Sequence, residues 1–245
     1  MIHNKTCNSL IFTHIPKCGG TSFRSYLAEA CKLSDLNEDH VYIPGNFGVK
    51  NDKNLAQLSD LELELLRSKK LKILANHSKF GEPQKLGIVL ENPLNLTILR
   101  NPVKRFISHY NFFYYKLGYD GCKGKRLEEL NPKNLDRLLT NLSNLQTSYI
   151  SNIKHKRVVG TENMLKIAKY NLKYEFDCIG LVEEMEDLIS KLEKLEINWL
   201  NMPDHFQKLN VSNSDKLEIS SDMIDKIKEN NWADLELYDF AKSFN

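Results

Sequence analysis

Short apolar runs alternate along the chain with longer segments whose apolar residues recur at helical spacing. Four of the runs have the length and composition of buried strands: 9–15, 71–75, 94–99 and 176–181. Helices are predicted over residues 21–31, 54–69, 102–116, 132–139, 161–173, 183–195, 221–230 and 232–244, with Asn101, Asn131 and Thr161 as caps. Residues 32–53 are irregular and are expected to form a surface loop or lid.

Buried strands that alternate with helices predict an α/β fold, in which a parallel sheet carries helices on both faces. With 245 residues, of which 41% are hydrophobic, the chain can bury a sizeable core. No internal repeat or low-complexity linker divides it. We therefore expect residues 1–245 to form a single domain.

Membrane, metal and disulfide signals are weak in this sequence. No run of eighteen apolar residues occurs, and residues 1–10 lack the apolar core of a signal peptide. A cytoplasmic protein is therefore expected, and a membrane-anchored or Golgi-type form would require an N-terminal anchor outside this sequence. The five cysteines are scattered without a CxxC pair, and no His, Cys and carboxylate set has metal-ligand spacing, so neither a disulfide framework nor a metal is expected.

Positive charge is concentrated in the middle of the chain. Residues 67–126 hold thirteen lysines and arginines but three aspartates and glutamates, a local net charge of +10 in a chain whose total is +2. A basic centre in an otherwise acidic protein suits an anionic ligand. The short run 122–126 alone is more typical of a solvated loop.

The turn after the first strand has the composition of an anion cradle. Gly19 and Gly20 let the backbone turn sharply and approach a ligand. The N–H groups at the helix start then point at the anion, Thr21 and Ser22 add hydroxyl groups, and Lys17 adds a charge. A sheet of the P-loop type is therefore predicted. Lys17 precedes both glycines, whereas the ATP-type loop places its lysine after the last glycine.

Residues 13–23, Thr-His-Ile-Pro-Lys-Cys-Gly-Gly-Thr-Ser-Phe, resemble the 5′-phosphosulfate loop of the carbohydrate sulfotransferases, in particular the heparan and uronyl 2-O-sulfotransferase group. The resemblance implies the donor 3′-phosphoadenosine 5′-phosphosulfate (PAPS). It places Lys17 at the bridging oxygen between phosphate and sulfate. It also implies that residues 18–22 (Cys18, Gly19, Gly20, Thr21 and Ser22) hold the 5′-phosphate.

A second segment follows the third predicted strand. Arg100 ends that strand, and a guanidinium can grip a phosphate through two parallel hydrogen bonds. Residues 100–110 resemble the family's 3′-phosphate motif, which implies that Arg100 and Ser108 hold the 3′-phosphate of the donor. Asn101 stands where the family commonly has Asp. Stretches at 144–149, 179–183, 209–212 and 230–244 resemble further family elements in the same order.

Sulfuryl transfer to a hydroxyl needs a base, because a hydroxyl ionises far above neutral pH. His77 follows the second predicted strand, and strand ends carry the sites of open parallel sheets. Residues 75–81 resemble the family segment whose histidine is the base, although Asn76 replaces its common glycine. His14 is a candidate for a supporting role, and His155 and His205 are weaker candidates for the base.

The sequence thus predicts a PAPS-dependent sulfotransferase that modifies a hydroxyl, with a carbohydrate as the expected acceptor and no nucleic-acid partner. The basic centre suits an acidic glycan. The aromatic run 112–115 is open to two interpretations, stacking on sugar rings or division between core and surface. Two alternative functions remain, an ATP-dependent phosphotransferase and a non-catalytic anion-binding module.

Overall fold

A five-stranded, fully parallel sheet lies at the centre of the computed structural model, which describes residues 7–49, 53–153, 161–195, 197–207 and 219–243. The strands are β1 (Ser9–Thr13), β2 (Val41–Tyr42), β3 (Ile73–Asn76), β4 (Pro93–Leu99) and β5 (Cys178–Leu181). Their spatial order is β2-β3-β1-β4-β5, and every neighbouring pair is parallel. The predicted α/β fold and the four predicted strands are confirmed.

Ten α-helices surround the sheet within the described ranges. They are α1 (Gly20–Leu33), α2 (Asp60–Ser68), α3 (Glu82–Lys85), α4 (Pro102–His109), α5 (Pro132–Leu142), α6 (Leu145–Ser151), α7 (Thr161–Tyr174), α8 (Met185–Lys194), α9 (Ser221–Asn230) and α10 (Trp232–Lys242). Asn101 and Asn131 cap α4 and α5 as predicted, since each side chain accepts a backbone N–H three residues ahead.

Both faces of the sheet are buried under helices. On one face, Leu10 and Phe12 of β1 pack with Phe23 and Leu27 of α1. On the other face, Ile11 of β1 packs in a cluster that includes the α2 leucines, and residues of β5 pack with α7 and α10. Alternate residues of one strand therefore enter opposite layers, as the predicted two-sided arrangement requires.

Several boundaries differ from the predictions. Residues 32–53 include the buried strand β2, which is too short to show a periodicity. The helix predicted over 54–69 is a 3-10 turn, Leu55–Gln57, followed by α2, which begins at a capping box between Ser59 and Glu62. The helix predicted over 102–116 is α-helical only to His109 and continues as a π-helix over Tyr110–Lys116. Helices α3 and α6 were not predicted.

The strand register places three candidate site segments side by side. Thr13 at the end of β1 pairs with Asn76 of β3 on one side and with Thr97 of β4 on the other. The segments after these strands begin with His14, His77 and Arg100. Because parallel strands end at the same edge, all three segments meet there.

Within the described part of the chain, no helix has the length and apolar character needed to cross a membrane. Residues 209–212, His155 and the last residue of the final predicted helix, Phe244, lie outside the described residues.

Candidate functional site

The turn between β1 and α1 is held in a conformation that few residues adopt. Lys17 has φ 67° and Gly19 has φ 70°, both in the left-handed region. Gly19 precedes the first residue of α1, and a side chain at that position would also meet Val182 at 3.3 Å. The chain therefore enters α1 directly, and the N–H groups of its first turn lie at the carboxyl edge of the sheet.

The Lys17 side chain crosses this edge toward the π-helix. Its Nζ atom lies 4.2 Å from the centre of the Phe112 ring, a cation–π contact. Burial, and then the positive charge of Arg100, lower the pKa of Lys17 from its ordinary value. No carboxylate of the described residues forms an ion pair with Lys17 or Arg100. Two neighbouring cations that have no ion-pair partner in the described ranges make this corner electropositive.

Arg100 joins the two predicted motifs directly. It immediately follows β4, and its Nη1 atom donates a hydrogen bond to the carbonyl oxygen of Lys17 at 3.0 Å. Its Nε atom is buried and has no hydrogen-bond partner among the described residues. A buried, unpartnered guanidinium N–H normally finds an acceptor. The structure thus brings Lys17 and Arg100 together and leaves donor capacity beside them.

The backbone of Arg100 is fixed by Gln146 of α6. The Gln146 Oε1 atom accepts the N–H of Arg100 at 2.9 Å, and its Nε2 atom donates to the Arg100 carbonyl, also at 2.9 Å. The side-chain amide thereby makes the two hydrogen bonds that a neighbouring strand would make. The sequence showed Gln146 only as part of a family-like element, since a contact across 46 residues leaves no local pattern.

Asp234 of α10 holds α6 in place behind this contact. Its carboxylate accepts the backbone N–H groups of Gln146 at 3.1 Å and of Thr147 at 2.8 Å, and the Thr147 hydroxyl at 2.7 Å. The Arg105 guanidinium lies 3.9 Å away, and both charged side chains are fully buried. This network positions Gln146, and through it Arg100.

His77, the predicted base, lies beside the loop on the other side of β1. Its Nδ1 atom is 2.9 Å from the carbonyl oxygen of His14. A carbonyl can only accept, so Nδ1 carries the proton and Nε2 carries the lone pair of the neutral ring. The two imidazoles stack with their centroids 3.8 Å apart. Burial, followed by the charges of His77, Arg24 and Lys17, lowers the pKa of His14 well below its usual value.

The other predicted contact residues are placed as follows. Thr21 is exposed and Ser22 is buried in the first turn of α1, while Ser108 is half-buried near the end of α4. Cys18 is fully buried, and burial raises the pKa of its thiol to about 12. The thiol lies 3.4 Å from Oε1 of Gln146, and the backbone N–H of Cys18 donates to the carbonyl oxygen of Ile15. Cys18 therefore shapes the turn from inside. His205 is exposed in an irregular segment.

Among the residues that the structure describes, no three His, Cys, Asp or Glu side chains converge in a group suited to a metal ion.

A glycine-rich turn, a lysine and an arginine at the carboxyl edge of a parallel sheet define an α/β protein with a candidate anion site. Comparison with known proteins gives its family. The sequence model of the sulfotransferase family matches residues 2–241, so the chain belongs to that family. The resemblance noted in the sequence is confirmed, and this membership favours sulfuryl transfer over ATP-dependent phosphoryl transfer.

Curated relatives are similar over most of the chain. A heparin sulfate O-sulfotransferase of Drosophila melanogaster is 24% identical over 95% of this chain and 70% of its own length. Heparan sulfate 2-O-sulfotransferase 1 of Xenopus laevis is 25% identical over 75% of this chain and 53% of its own length. Heparan sulfate 2-O-sulfotransferase hst-2 of Caenorhabditis elegans is 24% identical over 81% of this chain and 61% of its own length. The chain thus spans between about half and 70% of these relatives.

These relatives also correct one expectation. Heparan sulfate 2-O-sulfotransferases are Golgi enzymes, so the expectation of a cytoplasmic protein is wrong. That expectation rested on the lack of an eighteen-residue apolar run and on the polar composition of residues 1–10, and neither feature carries information about the compartment in which the relatives act.

Proposed function

We propose that this protein transfers a sulfuryl group from PAPS to a hydroxyl of a carbohydrate, with His77 as the base. The observation that carries the proposal is the strand order β3-β1-β4. It brings His77, Lys17 and Arg100 from three separate segments to one edge, with Arg100 hydrogen-bonded to the Lys17 carbonyl.

The donor site is supported by the chemistry of the residues present. The depressed pKa of Lys17, the buried unpartnered Nε of Arg100 and the absence of an acidic partner among the described residues all favour an anion. In this proposal the backbone N–H groups of the first turn of α1 hold the 5′-phosphate, and the hydroxyl groups of Thr21 and Ser22 contribute to the same phosphate site. Arg100 and Ser108 hold the 3′-phosphate.

PAPS supplies the sulfuryl group: the acceptor oxygen bonds to sulfur as the bond from sulfur to the bridging oxygen breaks, which leaves 3′-phosphoadenosine 5′-phosphate (PAP). His77 accepts the acceptor's proton at Nε2, because the His14 carbonyl holds Nδ1 as a donor. Lys17 stabilises the charge that develops on the bridging oxygen, which is a role for a preorganised cation in a partly buried site.

An acidic glycan is the acceptor class that we propose. The relatives are named for heparan or heparin sulfate, and the basic segment 67–126 includes two of the three site segments. Phe112 is 41% exposed and lies against Lys17, and in this proposal it contacts the acceptor. Phe106 and Tyr110, in contrast, are fully buried in the core.

A transfer assay with PAPS labelled in its sulfate, and heparan sulfate as acceptor, tests the proposal. We expect His77→Ala to lower the rate by roughly 100-fold or more while PAP binding stays within about twofold of wild type. His205→Ala is the matched control, because His205 is exposed and lies in an irregular segment, and it should keep the wild-type rate.

Three outcomes would contradict the proposal. Full transfer by His77→Ala would remove the base assignment. Turnover of ATP with magnesium and no response to PAPS would favour the phosphotransferase. Saturable PAP binding without transfer to any glycan, phenol or lipid hydroxyl would favour the non-catalytic module.

A further inference from the structure

The His14 imidazole lies between two other aromatic rings. It stacks on Phe12, with ring centroids 5.4 Å apart, and on His77, with centroids 3.8 Å apart. The side chain is 3% exposed, and its Nδ1 atom has no hydrogen-bond partner among the described residues. Its pKa lies well below the usual value, so the ring is neutral at physiological pH. Shape, rather than charge or hydrogen bonding, therefore fixes its position.

The segment that leads from β1 into α1, residues 14–20, is called the donor loop here, and its last residue approaches the same ring. A Cβ atom placed on Gly20 would lie 1.9 Å from both Cδ2 and Nε2 of His14, which is far inside contact distance. Gly20 is the first residue of α1 and its φ lies outside the left-handed region, so its backbone could carry an alanine. Glycine is required at position 20 because the His14 ring occupies the space of a side chain.

We infer that His14 is a positioning residue that couples the donor loop to the base. Its carbonyl fixes the Nδ1 proton of His77, and its ring sets the plane of the His77 ring while resting on Gly20. A shift of the loop is therefore transmitted through one buried ring to His77. This inference rests on the proposed function, since it takes His77 as the base.

A double-mutant cycle between positions 14 and 20 tests the packing link without any activity measurement. Gly20→Ala should lower the melting temperature in the wild-type background, because the added methyl collides with the His14 ring. The same change in a His14→Ala background should have little effect, because the methyl then fills vacated space. Equal losses in the two backgrounds would overturn the inference.

The positioning role itself is tested by kinetics at saturating PAPS. We expect His14→Ala to lower kcat by roughly 10- to 100-fold, with PAP affinity within about twofold of wild type. His14→Phe keeps a flat ring on His77, so it should recover most of kcat. A normal kcat in His14→Ala, or equal kcat values in His14→Ala and His14→Phe, would overturn the role.

Ring signals of His77 separate this inference from the proposed function. Nitrogen-15 spectra should show the Nδ1-protonated form of His77 in the wild type. His14→Ala keeps the backbone carbonyl but removes the ring that stacks on His77, so the His77 ring should rotate away from the carbonyl part of the time and give a mixture of ring forms. Identical His77 spectra in the two proteins would overturn the inference. Absence of sulfuryl transfer by the wild type, with the His77 spectra differing as expected, would overturn the proposed function and leave the packing role standing.

Discussion

The Nη1 atom of Arg100 donates a hydrogen bond to the carbonyl oxygen of Lys17 at 3.0 Å, and the two residues follow strands that are neighbours in the sheet. The arginine proposed to hold one phosphate of the donor thus braces the loop proposed to hold the other. This hydrogen bond joins the two halves of the proposed donor site, and a preorganised site lowers the ordering cost of binding.

Gln146→Leu tests how much this unit depends on α6. The leucine would leave the N–H and the carbonyl of Arg100 without their amide partner. We expect the free energy of unfolding to fall by about 2 to 4 kcal/mol, and PAP affinity to fall as well. Urea denaturation and calorimetry measure the two effects. Gln84→Leu on the exposed face of α3 is the control, and an equal loss there would contradict the role of Gln146.

A pair of substitutions at Lys17 measures the strain of the loop. Lys17→Gly and Lys17→Ala both remove the ammonium group, but only glycine adopts φ 67° without cost. We expect Lys17→Gly to unfold with a free energy about 0.5 to 1 kcal/mol higher than Lys17→Ala.

The same pair at Lys166 is the control, because that lysine is exposed in the middle of the helix α7. There, glycine should be the less stable of the two by about 1 kcal/mol. If the two pairs change stability in the same direction, the backbone at Lys17 is not strained.

The fold could be predicted from the sequence because its strands are apolar runs that are separated by helical patterns. The prediction failed for elements that leave no periodic pattern of apolar residues in the sequence. β2 has two residues, and α6 is a buried polar helix held by contacts with Asp234, which is nearly 90 residues away. The π-helix after His109 has seven residues, and over so short a segment its apolar residues have the same spacing as those of an α-helix.

The candidate site was predictable only where a motif is contiguous. The loop containing Lys17 and the segment after Arg100 each carry recognisable chemistry within a few residues. The contacts of Gln146 with Arg100 and of His14 with Gly20 depend on strand register and helix packing. Such contacts join residues that no local spacing relates.

The stability of the protein should depend on pH through His109. Burial, and then the charges of Arg105 and Lys17, lower its pKa to about 3. The unfolded chain titrates near pH 6.5 and therefore binds more protons than the folded chain between about pH 6.5 and 3, so stability falls as pH falls through this window.

We expect this histidine to reduce the free energy of unfolding by about 1 kcal/mol between pH 7.5 and 5.5. His109→Phe, which can keep the ring contact with Phe113, should show a shallower decline in urea titrations at the two pH values. Parallel declines in the wild type and the variant would contradict the assignment.

Calorimetric titration with PAP tests the central claim most directly, because PAP carries both phosphates and no group to transfer. The wild type and Lys194→Ala, which removes an exposed lysine from the last turn of α8, should bind with similar affinity. Arg100→Ala and Lys17→Ala should each bind at least roughly tenfold more weakly, by at least about 1.4 kcal/mol. Unchanged affinity in both variants would contradict the account.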